Sequence, residues 1–122
     1  MGTQAISPKV TGCFHQDSLI EISIEEIGGN YKGITIEGHA PEEFGKKGNN
    51  ILCAAVSVLG QTLHLHLQKE ELVSEEKIEK GYLKFKVKDG NPEKINTVFK
   101  VIIDGLENLQ GQYPEEIRVS RN

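Results

Sequence analysis

His39 and Cys53 are the two side chains whose types and placing suit covalent chemistry. A cysteine thiolate is a nucleophile, and an imidazole within reach can take the thiol proton. Cys53 falls in the first turn of a helix predicted to start at Asn50, capped by Asn49 or Asn50. Backbone amides there are unpaired and the helix dipole is positive, and both favour a thiolate. His39 ends a predicted strand on the far side of a polar stretch punctuated by Pro41, Gly45 and Gly48. That stretch can fold back and bring the two side chains together. Both residues also have a plain alternative: a small buried hydrophobe for the cysteine, a surface residue for the histidine. The stretch exceeds the ~2–6 residues of common strand-to-helix connections, which fits a functional loop or a neutral surface insertion.

The neighbours of this pair add little by spacing alone. Ser57 lies one helical turn after Cys53, placed to orient a partner or to bond back to the carbonyl of Cys53. Glu37, Glu42 and Glu43 are candidates to orient His39, and nothing selects among them. His64 lies about 16 Å beyond Cys53 along the helix, too far to serve as its base. His66 falls near the apolar stripe and reads as a packed core histidine, while His15 lies in an irregular N-terminal stretch. Cys13-x-His15 and His64-x-His66 match no zinc spacing, and the latter two point about 200° apart on a helix. No metal and no other cofactor is expected.

The elements that must position these residues follow from periodicity. Ile20, Ile22 and Ile24 alternate with Glu21, Ser23 and Glu25, which predicts a half-buried strand over 18–26. Gly28-Gly29-Asn30 is a tight turn, and Ile34 and Ile36 resume the alternation, giving a hairpin. Leu52, Ala55, Val56, Leu59 and Leu63 make a helical stripe in a helix predicted over 50–72. Leu83, Phe85 and Val87 alternate with lysines in a third strand that opens at Gly81. Pro92 starts a second helix striped by Ile95, Val98, Phe99, Ile102, Leu106 and Leu109 and closed by Gly111. A short strand follows at 117–119. The order β-β-α-β-α-β implies an α+β fold of two layers, with both helices on one face of a mainly antiparallel sheet. The other sheet face is expected to be polar or to meet a partner.

By strand parity His39 stands opposite the isoleucines, so a straight strand would aim it away from Cys53. A break or bend at Gly38 is therefore required for the pair to meet, and glycine permits it.

Length and composition bound the rest. The 122 residues suit one domain over 18–122, preceded by an N-terminal extension over 1–17. A net charge of −4 with no basic run opposes a nucleic-acid binder. The longest unbroken apolar run falls short of the ~20 residues of a membrane span. Two cysteines and no secretion-signal pattern at the start predict a cytoplasmic protein with free thiols.

The segment Gly38-His39-Ala40, a glycine-containing loop, and Ile51-Leu52-Cys53-Ala54-Ala55-Val56-Ser57 together resemble the bacterial ribosomal-processing cysteine proteases, the Prp family. Gly81-Tyr82-Leu83-Lys84, the second helix and the closing 114–119 segment are similar too, so the resemblance covers about 18–120. It implies a cytoplasmic α+β homodimer. It also implies an endopeptidase that removes a short N-terminal extension from bacterial large-subunit ribosomal protein 27, next to consecutive aromatic residues. On that basis Cys53 is the nucleophile and His39 the base. Amides at the helix start, including that of Cys53, hold the oxyanion. Ser57 supports the site, and a loop bearing Gly38, Ala40, Gly45 and Gly48 closes over substrate. Many members carry Asp where Asn50 stands; Asn50 keeps the capping capacity and loses the charge. The rival expectation is a non-catalytic, ribosome-associated interaction or assembly module on the same fold.

Overall fold

The computed structural model describes residues 19–38 and 48–122. The expected extension over 1–17, with Cys13 and His15, lies outside the described residues, as do His39, Ala40 and Gly45.

β1 (Ile20–Ile27) and β2 (Asn30–Gly38) form the predicted hairpin. Gly28 and Gly29 turn it with φ of 61° and 84°, the left-handed pair that matches the twist of the flanking strands. Ile20, Ile22 and Ile24 are buried and face Ile34 and Ile36 across the sheet. A bulge opposite Glu25 and Glu26 inserts one residue in β2 and shifts its parity. Tyr31 thereby joins Ile34 and Ile36 on the core face and stacks on Phe99, with ring centroids 5.2 Å apart.

α1 runs over Gly48–Lys69 and α2 over Pro92–Gln112. α1 starts two residues before the expected Asn50 and stops three before the expected Leu72. A left-handed Glu71 ends it, and the Leu72 N–H donates to the Leu67 carbonyl at 2.9 Å, a Schellman closure. Asn91 caps α2, its side chain accepting from the Lys94 N–H, with Pro92 at the first helical position.

β3 (Val73–Glu79) was not expected, so the order is β-β-α-β-β-α-β. Its sequence, VSEEKIE, has no buried parity, and six of its seven residues are exposed. Ladder pairing with β4 (Tyr82–Val87) makes it a strand, and its charges suit an unprotected edge. With β5 (Ile117–Arg121) the sheet order is β3-β4-β2-β1-β5, antiparallel throughout except between β1 and β5.

Both helices cover the isoleucine face, as the α+β layering requires. Leu52, Val56, Leu63 and Leu67 of α1 and Ile95, Phe99, Ile103 and Leu106 of α2 join the strands in one core. Gly105 of α2 faces Leu59 of α1, where a Cβ would come within 3.2 Å of the leucine. The opposite sheet face is polar, with Glu21, Glu37, Lys84 and Arg118 exposed. By length and mean hydropathy (1.3), Ile51–Lys69 would be long and apolar enough to cross a bilayer, although it has no long unbroken apolar run. Its apolar content is used in part by the stripe packed on the sheet.

One histidine departs from expectation: His66, read as a packed core residue, is exposed, and the buried one is its neighbour on the helix. His64 is buried at 8 % exposure and His66 is exposed. His64 flanks the Leu63/Leu67 stripe on the side of Phe85, with ring centroids 5.2 Å apart, and two residues further the helix has turned away.

Candidate active site

A cavity of about 780 Å³ opens between α1, the outer ends of β1 and β2, and the β3–β4 hairpin. Cys53 and Ser57 line it from α1, Gly38 from the end of β2. Ile20, Ile36 and Leu83 supply part of its apolar wall. The few polar groups that enter it are therefore the ones able to orient a ligand.

Local structure explains why the walls stand where they do. Gly60 lets α1 settle on the sheet, since a Cβ there would meet Ile36 Cδ1 at 2.6 Å and Leu83 Cδ2 at 3.1 Å. Gly81 turns the β3–β4 hairpin with φ 74°, and its carbonyl accepts the Gly38 N–H at 3.0 Å. The hairpin thus holds the end of β2 at the residue that precedes His39 in sequence. Gly38 faces the core side, where a Cβ would press on Ile20. The required break after it falls on residues outside the described set.

Cys53 is half-buried and reduced. The helix start corrects one expectation about it. With α1 beginning at Gly48, Asn49 and Asn50 lie inside the first turn instead of capping it, and Cys53 falls in the second turn. Its amide is already in the helix ladder, so neither an unpaired amide at Cys53 nor its use as an oxyanion donor follows from the backbone. Burial pushes the Cys53 thiol up from its ordinary value. A thiolate here has to come from a base that takes the proton, not from the helix.

Ser57 is exposed and shares the cavity one turn from Cys53. Sequence reasoning missed the far end of the cavity, where His64, Leu65 and Ile78 stand. Gly60 carried the available signal, a glycine inside an apolar helix, which marks close approach. Among the described residues no three His, Cys, Asp or Glu side chains come together as metal ligands.

Fold and cavity define a small two-layer α+β domain that offers a half-buried thiol to a peptide-sized, largely apolar groove. The family model of the cysteine protease Prp matches residues 19–118, and the chain belongs to that family. The crystal structure of SMU.848 from Streptococcus mutans is similar with a TM-score of 0.73 and 26 % identity, covering 88 % of this chain and 97 % of that one. The ribosomal processing protease Prp from S. aureus, in complex with a substrate peptide, has a TM-score of 0.72 at 18 % identity, covering 85 % of this chain and 100 % of that one. The same S. aureus protease with a covalently linked product peptide gives 0.70 at 17 % identity over the same shares. No curated protein matches the chain.

Proposed function

We propose that this protein is a cytoplasmic cysteine endopeptidase that removes a short N-terminal extension from bacterial large-subunit ribosomal protein 27. One observation carries the reading: in a chain of the Prp family, Cys53, Ser57 and the residue preceding His39 open into one cavity. His39 takes the Cys53 thiol proton, and the thiolate attacks the scissile carbonyl. The C–N bond breaks as His39 returns the proton to the leaving amine, leaving a thioester on Cys53. Water then hydrolyses the thioester. The raised thiol makes the base indispensable. Amides of the first helical turn, at Gly48 to Asn50, are free of the ladder and face the task of holding the oxyanion. The loop carrying Ala40 and Gly45 covers the substrate, and Ser57 supports the site; of the glycines expected in that loop, Gly38 instead ends β2 and Gly48 opens α1. The S. aureus relative, described with a covalently linked product peptide, is consistent with covalent catalysis.

A homodimer accompanies this reading. Ile51 and Val58 are 68 % and 61 % exposed on one outward stripe of α1, an apolar face suited to a second copy, and Leu65, 51 % exposed, stands where that stripe meets the cavity.

A second reading, a non-catalytic ribosome-associated module, draws on Asn50 in place of Asp and on the raised Cys53 thiol. A cleavage assay separates the two. The host's own ribosomal protein, or a peptide spanning its N-terminal extension, is incubated with wild type, Cys53→Ala and His39→Ala, and product masses are read. A single cut lost in both variants establishes the protease. Binding without a cut establishes the module, and a cut that survives Cys53→Ala overturns the mechanism.

A further inference from the structure

His64 does more than fill the core. Its Nε2 stands 2.5 Å from Glu76 Oε1, and Glu76 sits opposite Phe85 on β3, on the helix side of the sheet. An ionised carboxylate only accepts, so Nε2 carries the hydrogen of that bond. The other ring nitrogen, Nδ1, has no hydrogen-bond partner among the described residues. The ring is buried at 8 % exposure, yet it lines the cavity that holds Cys53. A buried polar atom without a partner is costly, and a ligand group that hydrogen-bonds to it relieves the cost.

We propose that His64 is a specificity-determining residue whose Nδ1 hydrogen-bonds a polar group of the bound peptide, several residues from the scissile bond. The inference rests on the proteolytic reading above. His64 lies about three helical turns beyond Cys53, or about 16 Å. An extended peptide covers that in about five residues. Leu65 and Ile78 line the same cavity, so the imidazole is a polar mark among apolar side chains and sets the register of the peptide. Glu76 is a positioning residue: it holds the ring through Nε2.

The test is a cycle between His64→Phe and peptide length. Wild type and variant cleave a peptide series shortened one residue at a time from either end, and kcat and KM are measured. Loss of one hydrogen bond should raise KM about 5- to 10-fold for the long peptide with kcat unchanged. Removing the residue that bears the bonding group should cost wild type the same factor and cost the variant nothing more. Independent, multiplying losses, or a change in kcat alone, would overturn the proposal and leave His64 a structural residue. Should His64→Phe not fold, wild type is tested with peptides in which single amides are replaced by esters and single polar side chains by alanine. A KM rise confined to one position about four to six residues from the cut supports the proposal; a flat profile overturns it. If wild type binds the peptide without cutting, the proteolytic reading fails and the same cycle is read in Kd. If it neither binds nor cuts, both fail.

Discussion

The Gly38 N–H donates to the Gly81 carbonyl at 3.0 Å, and a Cβ on Gly81 would stand 2.9 Å from the Gly38 oxygen. The β3–β4 turn and the end of β2 are thus in backbone contact, with no room for a side chain between them. Gly28 offers a control: it has a similar left-handed φ of 61° and nothing within 4 Å of its would-be Cβ. Gly28→Ala should cost about 1 kcal/mol of stability, from the backbone conformation alone. Gly81→Ala should cost about 1 kcal/mol more, through the contact and the bond it displaces. Urea unfolding of the two variants measures the difference, and equal losses would mean that the contact carries no energy.

The burial of Cys53 sets an expectation for pH. With His39 as base, wild-type Cys53 should alkylate readily near neutral pH and faster than Cys13. In His39→Ala only the burial effect remains, so the alkylation midpoint should move above the ~8.5 of a free thiol. A profile unchanged by His39→Ala would remove the dyad. Stability follows the same shift. A thiol whose folded pKa is raised contributes stability that is fully present below its unfolded pKa and is lost as pH rises through the folded one. Unfolding free energy of His39→Ala should therefore decline at alkaline pH above ~8.5, and adding Cys53→Ala should remove that part of the decline.

How legible this was in the sequence depended on whether burial left a period. The isoleucine hairpin and both helices show their buried faces as spacing, and so were readable. β3 was not, because an edge strand held by ladder bonds needs no apolar parity, and four of its seven residues are charged. The bulge in β2 was invisible for a related reason: one inserted residue moves Tyr31 to the core face without any local mark. At the site, Cys53 and Ser57 were legible because their separation of one helical turn is a local property. His66 was misread as a packed histidine, because it and His64 flank the same stripe and it is His64 that packs on Phe85 of β4. The walls from Ile20, Ile78 and Leu83 come from three strands, and no short-range pattern reports on them.

The outward stripe of α1 leads to a prediction about assembly. Between Gly48 and Gln68 the helix carries no Asp, Glu, Lys or Arg, so a solvated outer face would be unusual. Wild type should run as a dimer in sedimentation equilibrium. Ile51→Glu with Val58→Glu should yield a folded monomer, since both side chains are already exposed in the single chain and neither supports its core. A monomeric wild type at working concentrations would defeat this assignment.

Gly60 sits where α1 meets the sheet and also lines the cavity, so its substitutions should separate packing from binding. In Gly60→Ala the new methyl meets the tip of Ile36, which can rotate away, and alanine is the better helix former by about 1 kcal/mol. The two effects oppose each other, and Tm should change little. In Gly60→Leu the side chain has no such escape: Leu83 stands 3.1 Å from the Cβ position, and the remaining space is the cavity itself. Overpacking should cost about 1–3 kcal/mol. The leucine should also occupy the groove between Cys53 and His64, raising KM for long peptides while kcat at saturation is kept, because the thiol lies two helical turns away. Peptide kinetics on the two variants decide it: a kcat loss at unchanged KM in Gly60→Leu would mean that α1 had shifted as a body and carried Cys53 with it.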